Sequence, residues 1–253
     1  MSGGVSRSTF VGLDLAWKIN GNHSGLAVLS GGRRGVQLKA VSENVTSQAG
    51  VVAFMQSYAL VHMVMAVDCS LVVKNTTGQR PCETAVAKAF GRYHASCHTT
   101  NKGRRYWDTG SKLVKALKRH GFSHDFNLAS AKGRPGRWLF EVYPHPAMVR
   151  LFGLERILKY KKGVVAEKRM GLATLRGHLR KLPGLNANVM LRELLGRDLN
   201  VLRGEALKWY EDTLDALFCA YLAWHCWKWG AEGNELYGTL EKGYIVVPKR
   251  PGM

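Results

Sequence analysis

Apolar and polar positions alternate between two kinds of pattern along this chain. Residues 9–17 (TFVGLDLAW) form a nearly continuous apolar run, which predicts a buried strand. Residues 24–30 and 35–41 predict two more strands, joined through the turn Gly31-Gly32-Arg33-Arg34, so the chain opens as an antiparallel meander. Residues 47–60 carry Val51, Val52, Phe54, Met55 and Tyr58 at helical spacing, and 62–67 form an apolar strand that stops at Asp68. A helix over 82–94, a polar Gly/Arg/Lys-rich loop over 99–110 and a helix over 111–120 come next. A second loop, 129–136, leads to a strand over 137–142, closed by Pro144 and Pro146 because proline cannot donate to a ladder. Residues 148–152, 164–182 and 187–195 read as helical, the longest helix spans 204–229, and 244–247 predicts a late strand. With no repeat and no linker, the pattern predicts one mixed α/β domain over 1–253, with basic helical insertions at about 74–136 and 150–200.

Composition narrows the class. The 253 residues are 46% hydrophobic and 22% charged, as in soluble globular proteins. The longest apolar stretches fall far short of the ~20 residues of a membrane span, and residues 1–8 lack the apolar core of a signal peptide. A soluble, cytoplasmic protein is expected. Cys69, Cys82, Cys97, Cys219 and Cys226 are odd in number and form no Cys-x-x-Cys pair, which points to reduced thiols rather than a disulfide framework or a zinc cluster. His94, Cys97 and His98, or His120 and His124, lack the further ligands a zinc site needs. Charge adds most: the formal net charge is +19, and residues 74–181 carry 24 basic against 6 acidic side chains, or +18 of it. One contiguous basic segment of this kind suits a phosphate-rich partner, and nucleic acid is the expected one.

Several acids stand where acids are out of character. Asp14 lies inside an apolar strand, Asp68 ends another, and Glu141 sits in Trp138-Leu139-Phe140-Glu141-Val142. Asp212 and Asp215 lie three apart on one face of the longest helix, and Asp215 opens its buried stripe. A buried carboxylate is retained only when paired, hydrogen-bonded or bound to a cation, so each taken alone has a structural reading. If they converge, divalent cations of the magnesium or manganese class would relieve their repulsion, since such hard ions take oxygen ligands. The stripe Trp209, Leu217, Trp224 and Trp227 reads as core and flank of that helix.

Gly12-Leu13-Asp14-Leu15-Ala16, Ser24-Gly25-Leu26-Ala27-Val28, Ala66-Val67-Asp68-Cys69-Ser70-Leu71, Arg80-Pro81-Cys82-Glu83, Glu141-Val142-Tyr143-Pro144, Tyr160-Lys161, Asp212-Thr213-Leu214-Asp215-Ala216 and 243–248 together carry a resemblance. The chain resembles the RNase H-like superfamily and, more closely, a family of predicted RNase H-fold nucleases known as a domain of unknown function. The resemblance implies an RNase H-like mixed five-stranded sheet flanked by helices, with Asp14 on the first strand, Asp68 on the fourth, Glu141 on a fifth, and Asp215 with Asp212 on the closing helix. It implies a nuclease that hydrolyses phosphodiesters with two Mg²⁺ or Mn²⁺ ions, using Asp14, Asp68, Glu141 and Asp215 as catalytic acids and Asp212 as a further ligand. Lys102, Arg104, Arg105, Tyr106 and Trp107 would track the backbone and stack on bases, and Lys132, Arg134 and Arg137 would form a second contact. Arg80 and Lys161 are candidate phosphate contacts, and His145, between two prolines, is a candidate for proton transfer. The alternative is a nucleic-acid-binding protein that keeps the fold without catalysis. An actin-like phosphotransferase is disfavoured, because Asp14 is followed by Leu-Ala-Trp rather than a Gly and Thr/Ser phosphate loop, and no Walker-type stretch is present.

Overall fold

A computed structural model describes residues 8–16, 22–58 and 61–250. The strand predicted to end at Trp17 and the helix predicted to end at Leu60 have those ends outside the described residues. The meander forms as predicted: β1 (Ser8–Asp14), β2 (Ser24–Gly32) and β3 (Gly35–Val45) pair antiparallel. Next, β4 (Met63–Asp68) joins β1 in parallel and β5 (Arg137–Glu141) joins β4 in parallel. The result is a mixed five-stranded sheet of order β3-β2-β1-β4-β5.

Both faces of this sheet are covered, which is why β1 and β4 read as continuous apolar runs. Phe10, Val64, Ala66, Trp138 and Phe140 turn to one face, where they join the core built on the long helix α7 (Gly204–Gly233). Val11, Leu13, Met63, Met65, Val67 and Leu139 turn to the other, against α1 (Gln48–Ser57) and α3 (Thr109–Lys118). From Tyr210 to Cys226 every residue of α7 is buried, as expected of a helix apolar all round. Gly12 makes this packing possible: a Cβ there would stand 1.9 Å from the Ala216 carbonyl oxygen and 2.1 Å from the Ala220 nitrogen. Gly25 does the same for the next strand, where a Cβ would meet the Asp212 carbonyl oxygen at 2.1 Å.

Between these elements lie α2 (Pro81–Phe90), α4 (Pro144–Phe152), α5 (Val165–Arg180) and α6 (Val189–Gly196). The helix predicted over 82–94 ends at Phe90, and a tight turn, Gly91–Tyr93, follows with His94 in the left-handed region at φ 62. Pro144 and Pro146 do end β5, but they also sit in the first turn of α4, where the missing N–H costs nothing. The late strand is β7 (Gly243–Pro248), paired with β6 (Asn234–Thr239), which the pattern did not predict. Only Asn234 of β6 is buried, so no apolar alternation marks it. Among the described residues no helix is long and apolar enough to cross a membrane.

Candidate functional site

The parallel pairing of β1 with β4 sets Asp14 opposite Asp68 at the carboxyl ends of the two central strands. Alternation puts both on the face that α7 covers, since Asp14 follows Phe10 and Gly12, and Asp68 follows Val64 and Ala66. The glycines let α7 approach closely, and its first buried turns deliver Asp212 and Asp215 to the same place.

Asp14, Asp68 and Asp212, held together in a desolvated corner, are pushed toward the neutral form. Burial raises Asp14 above the usual carboxylate range, with Asp215 adding to it, while Lys161, Lys208 and a hydrogen bond with Asp212 pull the other way. Burial and Asp14 raise Asp68 well above that range. Asp212 is pushed up to about 7, by burial and then by Asp14. Asp14 and Asp212 lie within side-chain hydrogen-bonding reach of each other.

Two lysines answer this charge. Lys161 Nζ lies 2.8 Å from Asp215 Oδ2, and the Tyr160 hydroxyl donates to Asp215 Oδ1 at 2.6 Å. Burial opposes the charge on Lys161, but Asp215, Tyr160, Asp14 and Asp68 outweigh it and hold its pKa well above the ordinary value. Lys208 Nζ donates to Glu211 at 2.7 Å and to Asp212 Oδ1 at 2.6 Å. Lys161 is thus a partner of the acids, and it also lines the cleft. The signal for Lys208 was in the sequence as helical spacing, three and four residues before its partners.

Glu141 lines the same cleft, but its carboxylate is paired differently from the aspartates. Its register falls one residue short, opposite Val67, and alternation along β5 turns it to the face of Leu139. Arg80 takes both of its oxygens, Nη2 to Oε1 at 2.7 Å and Nη1 to Oε2 at 3.0 Å, and the Leu71 N–H donates to Oε2 at 2.8 Å. Arg80 Nε also donates to Glu83 Oε1 at 2.8 Å, while Glu83 Oε2 accepts from the Arg80 and Thr100 backbone N–H groups. Arg80, expected to reach phosphate, is only 2% exposed, and it serves as the centre of a buried anchor that ties β5 to α2 and to the loop after β4.

Above the aspartates opens a cleft of about 620 Å³. Asp14, Asp68 and Asp212 line it together with Lys161, Lys208 and Arg104-Arg105-Tyr106-Trp107. Lys102 lies just outside the lining, with its ammonium 5.9 Å from the centre of the Trp107 ring. His145 also lines the cleft; burial pushes it down to about 4, so its ring is neutral at pH 7, and its buried Nδ1 has no hydrogen-bond partner. Trp209, expected as helix flank, is half-buried in the cleft wall and packs on His23 at 4.2 Å between ring centres. Neither His23 nor Trp209 carried a sequence signal for the site, since the long helix and the start of β2 meet only in the fold.

The second basic group is not part of the cleft. Lys132 pairs with Glu232, Arg134 with Asp125, and Arg137 donates to the His120 carbonyl oxygen. Other arginines of the basic segment are also architectural: Arg169 donates to the Asn200 and Leu202 carbonyl oxygens, and Arg176 to that of Arg197.

The pattern of a family described as a protein of unknown function, DUF429, matches residues 12–237. The chain belongs to the DUF429 family. No curated protein and no solved structure matches it. The match to DUF429 runs from the strand bearing Asp14 to β6, and so takes in all four aspartates, the Arg80 anchor and the cleft loop.

A donor set made only of carboxylate oxygens under mutual repulsion suits hard divalent cations chemically. Among the described residues, however, no group of three or more His, Cys, Asp or Glu side chains closes on one point, and Lys161 and Lys208 supply the counter-charge. In this DUF429 member the residues that could hold a cation are Asp14, Asp68, Asp212 and Asp215; Glu141 is committed to Arg80.

Proposed function

We propose that this protein is a metal-dependent hydrolase of nucleic-acid phosphodiesters, built on an RNase H-like sheet. The observation that carries the reading is the aspartate pair Asp14 and Asp68 at the tips of two adjacent parallel strands, with Asp212 and Asp215 set against them by α7. The position of Asp14 on β1, Asp68 on β4, and Asp212 with Asp215 on the long helix is the one the resemblance implies. A second, independent support is the unpartnered buried Nδ1 of His145 in the same cleft.

Mg²⁺ or Mn²⁺, when bound, supplies Lewis-acid stabilisation of charge on the attacking and leaving oxygens. Asp14, Asp68, Asp212 and Asp215 would hold the ions, and the raised pKa values of Asp14, Asp68 and Asp212 mean that ion binding displaces protons as well as lysine contacts. Arg104 and Arg105 orient the phosphate chain at the mouth. His145 is the candidate to take the proton from water as it attacks phosphorus, or to return one to the leaving oxygen. Lys161 and Tyr160 fix the Asp215 carboxylate while this happens.

The lysine-neutralised acids also favour a second reading, a nucleic-acid binder without turnover. One assay separates the two. The protein and its Asp14→Asn variant are incubated with Mg²⁺ or Mn²⁺ and with labelled single-stranded, duplex and hybrid DNA and RNA. The hydrolase reading expects metal-dependent cutting that the variant loses by about a hundredfold or more. Equal binding by both proteins with no cutting would leave the binder.

A further inference from the structure

We propose that the cleft takes unpaired, single-stranded nucleic acid, with bases stacked on aromatic rings on both sides of the phosphodiester held at Asp14 and Asp68. This deepens the nucleic-acid reading above and rests on it.

The sheet itself decides which groups flank the acids. In the order β2-β1-β4-β5 the aspartates Asp14 and Asp68 lie on the two middle strands. On the β2 side stand the tilted rings of His23 and Trp209, 4.2 Å apart between centres, one leading into β2 and the other on α7 one turn before Asp212. On the β5 side stands Tyr143, two residues after β5 ends, whose hydroxyl donates to the Ser96 carbonyl oxygen at 3.1 Å. The Tyr106–Trp107 segment also lines the cleft. The Ser70 hydroxyl bonds that of Thr100 at 3.1 Å, and the Lys102 N–H donates to the Asn75 carbonyl oxygen at 3.0 Å, tying the segment to the chain that follows β4.

Tyr106 is held in a costly way for a side chain that does nothing. Its backbone lies in the left-handed region, at φ 60, and its ring is 42% exposed at the cleft. A non-glycine residue in that region costs about 1–2 kcal/mol and is kept where the surroundings or a function require it. Arg105 lies 5.7 Å from its ring, which pairs a cation with a stacking face, the combination that single-strand binders use. In a duplex the bases are already stacked and paired, so these rings would have nothing to hold. The cleft volume of about 620 Å³ also falls within the range of small-ligand sites.

The test is fluorescence anisotropy with end-labelled oligo-dT and oligo-rU of about 12 nucleotides and a blunt duplex of equal length, with Ca²⁺ present so that binding is read apart from cutting. The single strands should bind at least about tenfold more tightly than the duplex. Tyr106→Gly relieves the backbone strain, so it keeps the fold while removing the ring; it should weaken single-strand binding about tenfold or more, and Tyr106→Phe should restore it. Duplex binding as tight as single-strand binding overturns the proposal, as does a Tyr106→Gly variant that binds like the parent. Selective single-strand binding without cutting under Mg²⁺ sustains the proposal and removes the hydrolase. Failure of every oligonucleotide to bind removes both.

Discussion

Arg80 offers the sharpest test of how this site is built. Its guanidinium makes three bonds of 3.0 Å or less to two buried carboxylates, Glu83 and Glu141, and all three side chains are 3% exposed or less. Arg80→Met keeps much of the volume and removes the charge. Two carboxylates would then stay in the core with only backbone donors, and breaking a buried pair in this way costs about 3–5 kcal/mol. For a protein of this size that lowers Tm by roughly 6–20 °C. Glu141→Gln is milder, because Arg80 keeps Glu83. In a double-mutant cycle read by urea unfolding, the Arg80–Glu141 coupling should be about 1.5 kcal/mol or more. A cost below about 1 kcal/mol for Arg80→Met, or a coupling near zero, would refute the anchor. Activity supplies a second readout: Glu141→Gln, assayed well below its Tm, should retain metal-dependent cutting. If instead it loses cutting as Asp14→Asn does, Glu141 is a ligand of the site.

Two further outcomes follow from the packing and from proton linkage. Gly12→Ala drives a Cβ into the α7 backbone, so it should destabilise by at least about 1–3 kcal/mol, measured by thermal unfolding; an unchanged Tm would show that α7 does not rest on β1 as described. His225 is buried against Asn234, and burial pushes it down to about 4 from an ordinary 6.5. The unfolded chain therefore takes up a proton that the fold refuses. The stabilising contribution is complete above about pH 6.5 and is lost as pH falls toward 4. Between pH 7.5 and pH 5 this residue alone should lower stability by about 2 kcal/mol. His225→Gln should remove that part of the pH dependence in urea titrations, and an identical pH slope in the variant would contradict it.

Much of the scaffold was legible in local pattern. The apolar runs of β1 and β4, the meander, and the long helix follow from the hydrophobic period, because a strand buried on both faces and a helix buried all round must be apolar throughout. Asp14, Asp68, Asp212 and Asp215 were visible as charges that such elements do not tolerate without a reason. What the sequence could not decide was the company each acid keeps. Glu141 looked equivalent to the aspartates, but a register one residue short of Asp68 turns it to the opposite face, where Arg80 neutralises it. Strand register depends on pairing between segments some 70 residues apart, and no local period encodes it. The basic segment likewise read as one phosphate-binding surface, yet the fold divides it. Arg104 and Arg105 face the cleft, Lys161 pairs with Asp215, and Arg169 and Arg176 cap carbonyl groups of the chain around and beyond α6. The sequence alone determined which residue types were available, whereas tertiary contact decided whether each charge meets an opposite charge, a carbonyl group or the open cleft.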